Sequence, residues 1–284
     1  MPVTHFEEVR SRAPDEIVRV NSKRIAKKAL STAASFWFLV AATGQLLFVY
    51  YIAVFYGGTA LLGDFEAWTK VLIHGIIPGD FFGNLAVFAH ILLAFIITAG
   101  GILQLIPAIR ARFPTFHRWN GRVYMATAFL ISIGGIYMIL SRGTIGGISQ
   151  HIAICLNAVL IIVFAAIALR RAMARDIKAH RRWALRLFLA VSGVWFFRVG
   201  LMLWNIIHGA PVGFDPATFT GPFLTFLAFA QYLLPLAVLE LYFYAQDSVR
   251  PPVKFLMAST LTGLTLLMGI GIFGAFMGMW LPKI

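Results

Sequence analysis

Acidic residues are scarce in this 284-residue chain: 11 Asp and Glu stand against 24 Lys and Arg. No pair of carboxylates is spaced for general acid–base work. No phosphate-binding glycine loop, nucleophile elbow or HExxH zinc motif is present either. There is one cysteine, Cys155, and it falls inside an apolar run, which excludes an internal disulfide. Charge of either sign is low, at 12% of residues, while 60% are hydrophobic and the mean hydropathy is +0.83. No water-soluble domain needs that much apolar surface. The net charge of +13 does not point to nucleic acid, because the cations sit in short segments between apolar runs.

Several of those runs exceed 18 residues without a charge, which is the mark of membrane-crossing helices. The fold class expected is all-α: a polytopic membrane helical bundle of about seven transmembrane helices. The spans are read at about Thr32–Tyr56, Asn84–Ile106, His117–Leu140, His151–Leu169, Arg182–Ile207, Pro222–Tyr244 and Phe255–Met279. Pro107 marks the end of the second span, and Thr115 is a plausible N-cap for the third. Residues 1–30 read as a basic tail, with a stretch from about Asp15 able to form a short surface helix, and 31–284 as one transmembrane domain. The first apolar run follows about 30 polar residues and is too long for a signal-peptide core, so no cleavable signal peptide is expected.

Counting cations by side gives the orientation. The tail, the 107–122 and 170–186 loops and the 246–254 link hold 20 of the 24 Lys and Arg. The other side holds Lys70, Arg142 and Lys283, and Arg198 lies inside a span. The positive-inside rule predicts an inner-membrane protein with its N-terminus cytoplasmic and its C-terminus outside.

The sharpest functional signal is a repeat. His117-Arg118-Trp119-Asn120-Gly121-Arg122-Val123-Tyr124 is echoed by His180-Arg181-Arg182-Trp183-Ala184-Leu185-Arg186. Each follows a basic loop, and each is preceded by a histidine near the start of the previous span: His90, 27 residues before His117, and His151, 29 residues before His180. The separations match one crossing plus a turn. Spans two-plus-three and four-plus-five therefore form a parallel repeat over residues 84–205, a four-helix core.

Two histidines are expected at each of two levels separated by roughly 20 Å. That arrangement suits b-type haem, whose iron takes two facing imidazoles carried on rigid helices. His90 and His151 are the candidate outer ligands, and His117 and His180 the candidate inner ones. One or two haems are expected, forming a path for electrons between a quinone or small reductant and an acceptor. Gly101 and Gly121 are small residues that let a flat macrocycle approach. Arg118, Arg122 and Arg182, with Arg181 and Arg186, are candidate propionate partners at the inner level. Arg198, a costly charge inside a span, is the outer candidate, five turns after His180 on the same face. Zinc is a poorer use of histidines split between two levels. Retinal is disfavoured, because the last span has no Lys for a Schiff base. Gln104 reads as a helix-bonding residue or part of a quinone pocket. Trp119 and Trp183 read as interface anchors.

With the residues His90…Gly100-Gly101…Gln104-Leu105…Arg110…Arg112…His117-Arg118-Trp119-Asn120-Gly121-Arg122-Val123-Tyr124 and His180-Arg181-Arg182-Trp183…Arg186, the chain resembles a large bacterial family of predicted multi-pass membrane proteins of unknown function. More distantly, the four-helix, four-histidine layout is similar to ascorbate-reducible and ferric-reductase-type transmembrane cytochromes b. That likeness implies haem on His90/His151 and His117/His180, and a transmembrane oxidoreductase. Its departure is that the inner histidines stand at the extreme helix starts. The competing expectations are a haem-free transporter or receptor for a small anion, motivated by Arg198, and an assembly subunit docking a membrane partner through helices one, six and seven. The partners expected are the lipid bilayer, a quinone or small reductant, and a membrane protein met through helices one, six and seven; nucleic acid is not expected.

Overall fold

The computed structural model describes residues 14–72, 74–143 and 146–284, with side chains from 18 onward. The part of the basic tail up to residue 13, with His5, Arg10 and Arg12, lies outside the described residues. So do two residues of the Gly-rich loop expected at 141–150. The chain is an all-α polytopic bundle. Among the described residues, six helices are long and apolar enough to cross a membrane, and a bent pair raises the count to seven.

The order is α1 (Pro14–Tyr51), a π-helical turn (Ile52–Gly57), α2 (Gly58–Leu62), α3 (Glu66–Thr69), α4 (Phe81–Leu105), α5 (Pro107–Arg112) and α6 (Pro114–Arg142). There follow α7 (Ile148–Met173), α8 (Ile177–Val191), α9 (Gly193–His208), α10 (Pro222–Asp247) and α11 (Pro251–Ala275). A π turn (Phe276–Trp280) and a 3-10 turn (Leu281–Lys283) complete the chain.

Three local details differ from the sequence reading. The boundary expected at residue 30 falls inside α1, which runs unbroken through the basic stretch. The loop expected after Pro107 is the short helix α5, framed by two Xaa-Pro steps. Ile106 and Phe113 precede the prolines and are kept out of the helical region, with ψ 114° and 64°, so each helix starts on a proline at its first turn. For the same reason Thr115 is not the cap of α6: Phe113 takes the cap position, and its side chain makes no cap bond.

The fifth span is broken. Helices α8 and α9 meet at Ser192 with a 54° bend. The Ser192 hydroxyl donates back to the Phe188 carbonyl at 2.8 Å, and a glycine follows, the pairing that kinks helices. A straight helix was assumed in setting Arg198 five turns above His180, and the bend removes that projection.

Two units are distinguished by their internal packing. The smaller comprises residues up to Val40 with Ala237–Leu267, so it is built from parts of α1, α10 and α11 alone. Leu30, Ala33, Ala245, Met257, Ala258 and Leu261 form its core. Lys254 Nζ donates to the Ala245 and Gln246 carbonyls at 2.8 and 2.9 Å, closing the C-terminus of α10 where a cation is favoured.

The larger unit, Ala41–Leu236 with Met268–Ile284, holds all the candidate site residues. Its centre is a ring of four: α4 packs on α6, α6 on α7 and α7 on α8. Phe188 of α8 closes the ring by packing at Gly101 of α4. The diagonals are therefore α4/α7 and α6/α8. Ile97, Tyr124, Ala128, Ile161, Ala165, Leu187 and Ala190 fill the centre, drawn from all four helices. Apolar side chains such as Leu92, Leu130 and Val159 point outward. Lipid is as apolar as they are, so small residues and interhelical hydrogen bonds must supply the packing preference. Asn120 Nδ2 donates to the Gly100 carbonyl and Gln104 Nε2 to that of His117, both at 2.9 Å. Asn157 Nδ2 donates to the Ala190 carbonyl at 3.1 Å. Each such bond contributes about 0.6 kcal/mol in a membrane. Gln104 is thus a helix-bonding residue, and Gly101 and Gly121 admit Tyr124 and Gln104 side chains.

At the end of the ring away from His117 and His180, Arg142 closes α6 against the start of α4. Its guanidinium donates to Asp80 at 2.5 and 2.8 Å and to Asn84 Oδ1 at 2.8 Å. It also donates to the His74 and Gly75 carbonyls at 3.1 and 3.0 Å. Asp80 also caps α4 by accepting from Gly83 N at 2.9 Å. That amide first, and Arg142 next, hold the Asp80 carboxyl below the usual carboxylate range. A group with a depressed folded pKa contributes stability above its unfolded pKa of about 3.9 and loses it as pH falls through the folded value. The clamp is therefore expected to be intact from neutral pH down to about 4 and to weaken only below it. Thermal melts of wild type and Asp80→Asn from pH 7 to 3 check this: the acid-dependent loss of stability should shrink in the variant.

Candidate functional site

The four sequence-predicted histidines lie on the four ring helices, two at each end. His117 is the fourth residue of α6 and His180 the fourth of α8, so both stand about 5 Å into their helices. Xaa-Pro geometry starts α6, while Asp176 caps α8 by accepting from Ala179 N at 3.1 Å. The two imidazoles are near enough to interact electrostatically, and Arg110 also acts on His117. His180 Nδ1 lies 2.9 Å from the Ala168 carbonyl of α7, which fixes the ring and leaves Nε2 for another partner. His117 Nδ1 is enclosed and has no hydrogen-bond partner among the described residues. Gln104 anchors the His117 backbone, and Ala165 and Ala168 alongside are fully buried. The inner pair thus stands at the same helical position on the diagonal formed by α6 and α8.

The arginines at this basic end are less converged. Arg118 is exposed and reaches Thr115 Oγ1 at 3.4 Å. Arg122 is exposed and stacks 4.7 Å over Trp119, while Arg186 stacks 4.6 Å over Trp183. Arg182 is half-buried. Trp119 is 61% exposed, as an interface anchor requires, whereas Trp183 packs on Phe164.

The outer pair is matched less closely. His151 is the fourth residue of α7, about 5 Å in, but His90 is the tenth of α4, about 14 Å in. Only His90 lines the cavity that occupies this half of the ring. Arg198, on α9 beyond the bend, lines it too.

This cavity, of about 240 Å³, was largely missed by sequence reasoning. Gln45, Ser132, Asn157 and Trp195 line it and are 6% exposed or less. Gln45 Nε2 donates to Ser192 Oγ at 2.9 Å, tying the end of α1 to the bend. Arg198 donates to the Val194 carbonyl at 3.0 Å and lies 5.3 Å from the centre of the Phe48 ring. Tyr51 and, within the π turn, Tyr56 also line the cavity, their rings meeting edge to face with centroids 5.8 Å apart. Polar residues in mid-span were the available signal, because hydrocarbon offers them no partners. Their facing could not be read from spacing.

Residues 87–234 match the family described as predicted membrane protein, DUF2306. The match reaches past the expected limit of 205 into α10, whose Leu224 and Leu227 pack with Leu201 of α9. No curated protein and no solved structure is significantly similar to the chain. The cytochrome b likeness accordingly rests on the histidine layout alone.

Proposed function

We propose that this chain, which belongs to the DUF2306 family of predicted membrane proteins, is a b-type cytochrome-like membrane protein that transfers electrons through a bis-histidine haem at the basic end of its four-helix ring. The carrying observation is the placement of His117 and His180, each the fourth residue of its helix, on diagonally opposed helices of the ring. A histidine holding the group would offer one ring nitrogen while its other N–H is kept by a carbonyl, and His180 has that second contact at Ala168. His117 has an enclosed, unpartnered Nδ1 in the same region. The donor set fits the group. Bound there, haem supplies reversible one-electron exchange at its iron.

The chain's own residues do the rest. The Ala168 carbonyl fixes the proton of His180 on Nδ1. Gln104 holds the start of α6, and with it His117, against α4. Arg118, Arg122, Arg182 and Arg186 keep this end cationic, which favours propionates and, by the positive-inside rule, a cytoplasmic orientation. We rest the proposal on one haem, because His90 and His151 stand at unequal depth and only His90 lines the cavity.

The test is the reduced-minus-oxidised spectrum of the full chain purified in detergent after expression with haem supplied. Low-spin b-type bands at about one haem per chain are expected, and their absence would sink the proposal.

A further inference from the structure

The cavity beside the bend asks for an occupant of different chemistry. Six buried polar atoms on residues that line it have no hydrogen-bond partner among the described residues: Gln45 Oε1, His90 Nδ1, Tyr124 OH, Ser132 Oγ, Asn157 Oδ1 and Trp195 Nε1. Buried polar groups are nearly always satisfied, so a cluster of orphans around one void marks a missing ligand or ordered water. The amide nitrogens of Gln45 and Asn157 are already used, by Ser192 Oγ and the Ala190 carbonyl. Their oxygens can only accept, and they need donors from whatever enters. Trp195 Nε1 can only donate. Arg198 brings a positive charge, and no Asp or Glu lines the cavity among the described residues. The remaining wall is mostly apolar, with side chains such as Phe48, Ile97, Ile161 and Phe188. At about 240 Å³ the void stands just below the usual ligand-pocket range of about 300–1,000 Å³. A haem macrocycle, larger and with an apolar rim, would leave most of these atoms unsatisfied.

We propose that this cavity binds a small organic carboxylate bearing at least one hydroxyl group, with its carboxylate on Arg198 and its hydroxyl donating to Gln45 or Asn157. Anion recognition by a guanidinium supplies charge-assisted hydrogen bonds, and low dielectric strengthens them. The apolar wall selects an organic molecule over an inorganic ion. The acceptor oxygens select a hydroxylated one over a plain fatty acid. The binding site is separate from the haem site and does not depend on it.

The experiment uses the full purified chain in detergent, with isothermal titration and thermal shift against lactate, glycerate and malate. Chloride, inorganic phosphate and glycerol serve as controls. Saturable binding of at least one hydroxycarboxylate is expected, with none of the controls matching it. Arg198→Gln should weaken binding about tenfold or more, and Asn157→Ala by a few-fold. Should Arg198→Gln not fold, Ser132→Ala and Asn157→Ala carry the same question. No binding by any of the three acids, equal binding of phosphate or glycerol, or unchanged affinity in the folded variants overturns the proposal. Haem content is measured on the same samples. Two haems per chain, one of them lost with His90→Leu, overturns the cavity assignment and spares the function proposed above. Carboxylate binding without any haem does the reverse.

Discussion

Purified His180→Leu protein is expected to show no low-spin b-type spectrum, and His117→Leu the same. On the proposed reading both imidazoles would hold the group, so removing either should abolish that spectrum. The two substitutions differ in structural cost. Leu at 180 loses the bond to the Ala168 carbonyl, a net contribution of about 1 kcal/mol, whereas His117 Nδ1 has no such bond to lose. His117→Leu is thus the cleaner variant. His180→Gly adds a control, because external imidazole can enter the space and restore the spectrum if ligation is the role. His151→Leu, on the other diagonal, is expected to leave the bands in place. Unchanged low-spin bands in both His117→Leu and His180→Leu would remove the basic-end haem from consideration.

The second large effect concerns the bend. A side chain at Gly193 would put its Cβ 2.9 Å from Asn157 Nδ2. Asn157 cannot simply withdraw, because that nitrogen holds the Ala190 carbonyl at 3.1 Å and joins α7 to α8. Gly193→Val adds branching at the clash and is expected to cost about 1–3 kcal/mol by overpacking, plus about 0.6 kcal/mol for the lost bond. A fall in Tm of the detergent-solubilised protein reads this out. The control is Gly263→Ala, where a Cβ would meet nothing within 4 Å. Equal Tm for Gly193→Val and wild type would mean that α7 and the bend do not meet as closely as described. The same variant disturbs Ser192 and Asn157 on the cavity wall, so carboxylate binding should fall with it.

Much of this molecule was legible without coordinates. The apolar runs give the all-α membrane class, and the family match covers the residues in which the His-Arg…Trp repeat was read. Gln104 was correctly weighed as a helix-bonding residue. The details that were not legible share a cause. A straight fifth span was assumed because nothing in an apolar run distinguishes Ser192-Gly193 as a break from a tolerated pair. Arg142 was counted only as a cation on the poorer side, whereas it meets Asp80 some 62 positions earlier in the chain. His90 was read six residues into its span and His151 at the start of its own; α4 begins at Phe81, three residues before the expected Asn84, and sets His90 deeper still.

What the sequence determined by itself follows from local partitioning: which segments enter hydrocarbon, which charges stay out, and that two helix pairs repeat one pattern. What only the tertiary structure decided is which side chains meet. In water, an amphipathic helix announces its inner face by where its apolar residues fall. In a bilayer both faces are apolar, so the rotation of each helix is set by small residues, interhelical amides and a single bend. That packing sets His117 and His180 at the same helical position on two of the ring helices, gathers Gln45, Ser132, Asn157, Trp195 and Arg198 around one cavity, and leaves His151 off its wall.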